Sequence, residues 1–346
     1  MNTNIFKKYS LRTIVSIVAT LVLLLTSDIN RSDFKILKSN KEVLPQVAIP
    51  SESLKLITMP TDKARTVLSL INNAQKSIDL VIYDLKDKQV GDALVAAHKR
   101  GTTVRVLLNK GYYGKQEPRN ESSYDYLLSK GVPVKWAPNY FALTHQKTLV
   151  ADDKALIMTF NLVPKYYSGS RDFGIITTNT NDVQAIKRTF DADFNGEKIE
   201  EQNGDSLLWS PGAEEEILAI IDRSEKSLEI YSQLMDYQKV TDALVAKAKE
   251  GVDVKVIITY ASNWRSALAQ LRNAGVHVRT YEGKKAIYIH TKVIISDGNY
   301  MYLGSQNFSS NSLNKNRELG LFITDANIIS EIQSVFKKDW DGGKDF

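Results

Sequence analysis

The chain has 346 residues, 43% of them hydrophobic, which is enough apolar material for one large domain or two smaller ones. It contains no cysteine, so disulfides, zinc fingers and thiol catalysis are excluded, and with only four histidines a His-rich metal site is not expected. The net charge of +5 is small for this length and does not by itself require a nucleic-acid partner.

The N-terminus has the layout of an export signal. Three basic residues precede an apolar run from Thr13 to about Thr26, which is shorter than the roughly 20 residues of a membrane span. We therefore expect residues 1–27 to be a signal peptide or an uncleaved signal-anchor helix, followed by a linker over 28–50. Because the positive flank stays inside, either alternative predicts that the rest of the chain is exported, as a secreted, periplasmic or membrane-anchored extracytoplasmic protein.

The remainder of the chain is a tandem duplication of a unit of about 150 residues. The segment GDALVAAHKRGTTVRVLL at 91–108 matches TDALVAKAKEGVDVKVII at 241–258. Matching ends, RTFDADFNG and SVFKKDWDG, close the two copies. The predicted boundaries are a first repeat over 51–197, a linker over 198–205 and a second repeat over 206–346.

Each repeat predicts an alternation of helices and strands. A helical period at 64–83 or 214–233 is followed by a strand-like run, a second helix ending at Gly101 or Gly251, and another apolar strand. This order predicts an α/β fold with two similar halves, each a mostly parallel sheet flanked by helices. Duplicated halves of this kind are expected to pack about a pseudo-twofold axis.

The repeats differ most in a polar loop of the first copy. This loop, at 111–126, has six more residues than its counterpart and carries Tyr112, Tyr113, Lys115 and Arg119. Loops that follow strands commonly build ligand sites in α/β folds. The loop is therefore expected either to form one wall of such a site or to be a surface loop without a role in binding.

Both repeats carry the same polar motif in an apolar, strand-like run. The matching residues, at an offset of 145, are His145, Lys147 and Asp152 in the first copy and His290, Lys292 and Asp297 in the second. Positions two apart on a strand point the same way, so each His and Lys are predicted to share a face of a buried strand. An anion-binding pocket accounts for such buried cationic groups better than strand ends that merely reach water.

Further pairs extend the match, namely Asn161 with Asn307 and Asp172 with Glu318. If the halves face each other, these side chains converge on one pocket. Lys and Asn can donate to phosphate oxygens, while one His attacks phosphorus and the other transfers protons. Asp172 and Glu318 are suited to hold the imidazoles by their second nitrogen. The two motif aspartates, near turns, are expected to anchor structure rather than touch substrate.

These residues resemble the signature of the phospholipase D superfamily, His-x-Lys-x4-Asp-x6-Gly-Ser-x-Asn. The signature is complete in the second copy, where it ends at Gly304, Ser305 and Asn307. In the first copy Met158 and Thr159 replace Gly-Ser; Thr159 can supply the hydroxyl, whereas Met158 could crowd the phosphate.

The resemblance extends over roughly residues 52 to 342. It implies two-step, metal-independent phosphodiester cleavage or transfer without a cofactor, in which His145 is the nucleophile and His290 the acid/base.

The resemblance leaves the substrate open. The main expectation is a phospholipase D-like hydrolase of a phospholipid at a membrane surface, in keeping with the N-terminal signal. One alternative is an extracytoplasmic nuclease, which would need a basic groove to bind several phosphates. The other is a phosphatidyltransferase of the cardiolipin synthase kind. Two intact motifs disfavour a non-catalytic module that only retains the fold. Because one chain supplies both motifs, a monomer suffices and no obligate protein partner is expected.

Overall fold

The two repeats fold into two α/β halves. The computed structural model describes residues 44, 53–111, 119–200 and 204–346. The predicted signal or anchor at 1–27, most of the linker at 28–50, and the loop residues Tyr112, Tyr113 and Lys115 therefore lie outside the described residues. No helix within the described ranges has the length and apolar character needed to cross a membrane.

The elements of the first half are, in chain order, β1 (Leu54–Met59), α1 (Arg65–Asn73), β2 (Ser77–Ile82), α2 (Lys88–Lys99), β3 (Thr103–Leu108), α3 (Glu121–Ser129), β4 (Val134–Trp136), β5 (Lys147–Ala151), β6 (Lys154–Met158), α4 (Pro164–Gly169), β7 (Ser170–Thr177) and α5 (Thr180–Asn195). Those of the second half are β8 (Leu207–Ser210), α6 (Glu214–Asp222), β9 (Ser227–Ser232), α7 (Gln238–Lys249), β10 (Asp253–Thr259), a 3₁₀ turn (Ser262–Trp264), α8 (Arg265–Asn273), β11 (His277–Tyr281), β12 (Tyr288–Ile289), β13 (Val293–Ser296), β14 (Tyr300–Gly304), α9 (Ser310–Asn314), β15 (Glu318–Ile323), α10 (Ala326–Gly342) and β16 (Lys344–Asp345).

Each half is built on one mixed sheet. The strand order is β1-β7-β6-β5-β2-β3-β4 in the first and β16-β11-β10-β9-β13-β14-β15-β8 in the second. Along these described paths, the parallel pairs are β2–β3 and β3–β4 in the first sheet and β9–β10 and β10–β11 in the second, and the other neighbours run antiparallel.

The prediction of mostly parallel sheets is therefore wrong. Helix crossovers such as α2 return the chain to a parallel strand, but the motif aspartates lie in tight turns between consecutive strands. A tight turn, such as the one between β5 and β6, joins strands that run in opposite directions.

The helical period predicted over 64–83 is also only partly correct. The helix ends at Asn73, and the rest of the segment forms the buried strand β2; the second repeat behaves in the same way at 214–233. The carboxylate of Asp152 accepts hydrogen bonds from the backbone N–H groups of Gln75, Lys76 and Ser77 at 2.9, 2.7 and 3.0 Å. A contact with a distant hairpin thus replaces the helix hydrogen bonds that the segment would otherwise continue.

Asp297 accepts the equivalent hydrogen bonds from residues 225–227. Both motif aspartates have a left-handed backbone, with φ of 54° at Asp152 and 50° at Asp297, because they turn the chain between two strands. Their carboxylates are thus engaged in joining the hairpin to the preceding helix–strand junction.

The halves are joined by reciprocal backbone contacts. Strand β12 of the second repeat runs parallel to the start of β7, with Ile289 opposite Arg171. In return, Thr144 of the first repeat pairs in parallel with Arg317, just before β15. These two contacts are equivalent in the repeats, as expected for halves that pack about a pseudo-twofold axis.

Reciprocal ion pairs reinforce this junction. Arg171 Nε lies 2.6 Å from Asp339 Oδ2, and Arg317 Nε lies 3.0 Å from Asp193 Oδ2. Between the sheets a continuous core contains apolar residues of both halves, among them Ile157, Phe173, Ile175, Met301, Leu303 and Leu321. The junction therefore buries both charge pairs and apolar surface, and it holds the start of β7 and of β15 beside the motif of the opposite half.

Candidate active site

The two motif histidines lie at the ends of strands and not within them. His145 precedes β5, and His290 lies between β12 and β13, so the prediction of a continuous buried strand through each motif is wrong at this point. The backbone N–H of His145 donates to the carbonyl of Arg317 at 2.9 Å, and that of His290 donates to the carbonyl of Arg171 at 3.2 Å. The backbone of each histidine is thus hydrogen-bonded to the residue that directly precedes the carboxylate residue of the other half.

Each imidazole contacts a carboxylate of the opposite half. His145 Nδ1 lies 2.8 Å from Glu318 Oε2, and His290 Nδ1 lies 2.8 Å from Asp172 Oδ1. Both carboxylates are fully buried. Because an ionised carboxylate only accepts hydrogen bonds, each Nδ1 carries the proton and each Nε2 keeps its lone pair for chemistry.

Burial keeps both imidazoles neutral. It lowers the pKa of His145 to about 4, because the attraction of Glu318 does not offset desolvation and the charges of Lys147 and Lys292. Burial likewise lowers the pKa of His290 to about 3 against the attraction of Asp172. Near neutral pH the site therefore presents two neutral imidazoles.

Lys147 and Lys292 bring the positive charge of the site. Their side chains are 1% and 0% exposed, and each Nζ donates to the carbonyl of the histidine two residues earlier, at 2.6 Å in the case of Lys147. Burial lowers the pKa of Lys292 to about 8, and burial together with the charge of Lys292 lowers that of Lys147. Their mutual repulsion means that an anion between them would be stabilised by both.

The two carboxylates are held by further hydrogen bonds. Burial by itself would raise the pKa of Asp172, but His290 and Lys292 outweigh it and hold the pKa below its usual range. Thr159 Oγ1 donates to Asp172 Oδ1 at 2.7 Å and accepts from the N–H of Phe173 at 2.9 Å. The second of these contacts matches the one that Ser305 makes with Leu319 in the other repeat. Ser170 also donates to the Asp172 carboxylate.

Glu318 has the same kind of support. Burial would raise its pKa, but His145 and Lys147 outweigh burial and lower it. Asn316 Nδ2 donates to Glu318 Oε1 at 3.0 Å, and Ser312 donates to the same oxygen. Ser305 Oγ accepts from the N–H of Leu319 at 3.1 Å and so holds the strand that carries Glu318. Sequence reasoning included Ser305 but missed Ser170, Ser312 and Asn316, although Ser170 and Asn316 are a matched pair in the repeats.

The paired amides Asn161 and Asn307 and the substituted Met158 are all buried. Asn161 and Asn307 are buried, and the Oδ1 of each accepts no hydrogen bond from the part of the chain that the structure describes. Met158 is fully buried in the hydrophobic cluster of the first half, so its side chain packs in the core. At Gly304 a Cβ would lie 2.5 Å from Gly320 Cα, and this close approach of β14 and β15 explains the glycine of the second copy.

Aromatic rings flank both imidazoles. The Tyr83 ring meets His145 edge-on with centroids 4.6 Å apart, and the Tyr166 ring lies 4.6 Å from His290. Of the polar loop of the first copy, Arg119 lies with its guanidinium carbon 4.7 Å from the Tyr83 ring. Within the described residues the structure places no trio of acidic or histidine side chains suited to hold a metal ion.

Comparison with known proteins identifies relatives of both halves. The family model of the cardiolipin synthase, PLD-like domain matches residues 67–194 and again residues 217–340. The chain is 25% identical to the major cardiolipin synthase ClsA of Bacillus subtilis (strain 168), over 83% of this chain and 68% of the relative. It is 23% identical to cardiolipin synthase A of Pectobacterium carotovorum subsp. carotovorum (strain PC1), over 83% and 69%.

Solved structures share the fold. Phosphatidylserine synthase of Haemophilus influenzae Rd KW20 superposes with a TM-score of 0.73 at 14% identity, over 90% of this chain and 91% of that one. Polyphosphate kinase of Porphyromonas gingivalis superposes with a TM-score of 0.67 at 17% identity, over 83% and 47%. Together with the duplicated motif, the two family matches account for both halves of the site. The chain belongs to the family of the cardiolipin synthase PLD-like domain, and with it to the phospholipase D superfamily.

Proposed function

We propose that the protein is a phosphatidyltransferase, which moves a phosphatidyl group from a donor phospholipid to the hydroxyl of an acceptor alcohol through a phosphohistidine. The observation that carries the two-step chemistry is the reciprocal pairing of His145 with Glu318 and of His290 with Asp172 around two buried lysines. The preference for a lipid substrate rests on relatives that are named cardiolipin synthases. Those names favour transfer over the hydrolysis expected from the motif, and the two reactions differ only in the acceptor.

In the first step, His145 Nε2 attacks phosphorus, a phosphorus–nitrogen bond forms, and the bond between phosphorus and the head-group oxygen breaks. Protonated His290 gives its proton to the departing oxygen. Lys147, Lys292 and the two amides donate to the non-bridging oxygens, where charge gathers. The nucleophilic role of His145 follows the superfamily resemblance.

His290 needs a proton that the ligand-free site disfavours. The bound phosphodiester is an anion, and its charge offsets the two lysines that lower the pKa of His290. Substrate binding therefore favours the imidazolium that the first step requires. In the second step the neutral His290 removes the acceptor's proton as the new phosphorus–oxygen bond forms and the bond to His145 breaks.

The test is product analysis with the full-length protein in detergent–phospholipid mixed micelles. A labelled phospholipid is offered with and without a primary alcohol, and single-stranded DNA is offered separately, both in the presence of EDTA. We expect alcohol-exchanged lipid when the alcohol is present. His145→Ala and His290→Ala should each lower turnover by about a thousandfold or more.

The other products decide between the alternatives. Phosphatidic acid as the sole product in the presence of alcohol would replace transfer by hydrolysis. Cleaved DNA with intact lipid would favour the nuclease. We further propose, from the N-terminal sequence alone, that the catalytic halves act outside the cytoplasm; protease accessibility in intact spheroplasts tests this, and full protection would contradict it.

A further inference from the structure

One buried carboxylate of the first half has no counterpart at the matching position of the second half. The segments that follow β2 and β9 match at the offset of the repeat, because the backbone bridge Leu85–Leu162 has its counterpart in Met235–Phe308. Asp84 of the first half therefore corresponds to a leucine, Leu234, in the second. At this position the first half carries an acid and the second half does not.

The two oxygens of the Asp84 carboxylate differ in their hydrogen bonds. Its side chain is 6% exposed, and Arg119 Nη1 donates to its Oδ2 at 3.4 Å. Oδ1 accepts no hydrogen bond from the described residues, and Lys86 Nζ lies 3.9 Å away. A buried carboxylate oxygen without a donor is costly, and a donor supplied by a ligand would remove that cost.

Asp84 lies beside the reacting groups. Its backbone carbonyl accepts from the N–H of Leu162, next to Asn161. Its partner Arg119 and the motif residue Lys147 both contact the ring of Tyr83, at 4.7 and 5.3 Å, and that ring meets His145.

The charge of Asp84 is also felt on the side of His290. Burial, Tyr288, Asp172 and Asp84 together raise the pKa of Tyr166 to about 12, and the Tyr166 ring lies against His290. Burial also raises the pKa of Asp84, whereas the charges of Lys86 and Arg119 limit the rise, so we expect a carboxylate near neutral pH. An ionised acceptor thus lies within electrostatic reach of both halves of the site.

We propose that Asp84 Oδ1 binds a hydroxyl of the acceptor and thereby selects a polyhydroxylated alcohol, in which a second hydroxyl neighbours the attacking one. This inference rests on the proposed function and concerns its second step. The attacking hydroxyl forms the new phosphorus–oxygen bond, its proton goes to His290, and the phosphorus–nitrogen bond to His145 breaks. The neighbouring hydroxyl stays intact and donates to Asp84. The second half has Leu234, whose side chain has no polar atom, in the matching place.

The experiment is a competition between glycerol and 1-propanol as acceptors for one labelled phospholipid. The ratio of the two exchanged lipids is measured for the wild type and for Asp84→Leu, which introduces the residue of the second half. We expect the wild type to favour glycerol and Asp84→Leu to lower the glycerol-to-propanol ratio about tenfold, the effect of losing one hydrogen bond to a charged group. Asp84→Asn, which keeps an acceptor oxygen, should lower it less.

Asp236→Asn is the matched control, because Asp236 is an exposed acid in the equivalent segment of the second half; its ratio should equal that of the wild type. Equal use of both alcohols by the wild type would overturn the inference even if Asp84→Leu fails to fold. So would an Asp84→Leu enzyme that loses both products in proportion. A wild type that consumes no phospholipid overturns the proposed function itself, and lipid turnover without a preference for glycerol overturns only the role of Asp84.

Discussion

At the scale of single residues, the protonation of two imidazoles controls the chemistry. Burial gives His145 a pKa of about 4 and His290 a pKa of about 3, so both begin as bases with a free lone pair. A neutral imidazole is what the attacking histidine needs. The acid/base histidine must gain a proton, and the charge of the bound phosphodiester is the means of raising its pKa.

The same burial predicts loss of stability in acid. The unfolded chain binds protons at both histidines near the ordinary pKa of 6.5, whereas the folded chain resists them down to about 4 and 3. Protons bound only by the unfolded state stabilise it, so the free energy of unfolding should fall as the pH drops from about 6.5 to about 4. The expected slope is at most about 1.4 kcal/mol per pH unit for each histidine.

Urea denaturation across this pH range measures the slope. His290→Gln removes one of the two titrating groups, and its curve should be flatter than that of the wild type. An identical pH dependence in the two proteins would show that His290 does not contribute.

The roles of the two histidines can be separated with an activated substrate. p-Nitrophenolate leaves without needing a proton, so His290→Ala should still release about one equivalent in a burst from a p-nitrophenyl phosphodiester and then stall. His145→Ala should show no burst. Rapid-mixing absorbance measures the release, and mass spectrometry locates the phosphoryl adduct. A burst from His145→Ala and none from His290→Ala would exchange the two roles.

At the scale of elements, the start of β15 does more than position the Glu318 carboxylate. Arg317 comes just before β15; its side chain pairs with Asp193 of α5, and its carbonyl accepts the N–H of His145. The equivalent Arg171 in β7 does the same toward Asp339 and His290. Each strand start therefore joins the two halves and positions a histidine at once.

Removing Arg317 should affect both stability and activity. In Arg317→Met, the buried Asp193 loses this ion pair, and we expect a loss of about 3 to 5 kcal/mol in the free energy of unfolding. Turnover should also fall, because the backbone carbonyl of residue 317 that accepts from His145 is then less firmly positioned. Lys337→Ala is the control: it removes an exposed pair with Asp341 and should cost less than about 0.5 kcal/mol. Urea denaturation and turnover at matched folded fractions measure the effects. A cost for Arg317→Met as small as that of the control would contradict the role of this ion pair.

At the scale of the whole molecule, one chain contains both sides of the site. Each imidazole takes its carboxylate from the other half, across 173 residues for His145 and 118 for His290. Neither half therefore has a complete histidine–carboxylate pair of this kind by itself. The reaction should depend on the halves of a single chain and not on a second copy.

Mixing two inactive variants tests this. Purified His145→Ala and His290→Ala have intact second and first motifs, respectively, and an active site shared between chains would regain activity in the mixture. We expect turnover in the mixture to stay at the sum of the separate variants. Recovery of about a quarter or more of wild-type activity, as random exchange between two chains would produce, would show that the site is assembled between copies.

Much of the site could be predicted from the sequence because duplication makes the functional positions visible. Chemistry that needs two histidines and two lysines leaves the same spaced residues in both copies, and the chain has few other histidines. The division into two α/β halves follows in the same way, because apolar periodicity reports local structure. The direction of the strands was not predictable, because it depends on the turns that join them. The spacing of apolar residues does not indicate the geometry of those turns.

The sequence by itself determined which residues are equivalent and what chemistry they can perform, since both depend on residue type and spacing. Only the tertiary structure decided that His145 pairs with Glu318 and His290 with Asp172, because these contacts arise when one half packs on the other. Long-range contacts within the first half end the predicted helix at Asn73 and place Asp84 beside the site. No local pattern marks such residues, because their environment is made by segments far away in the chain.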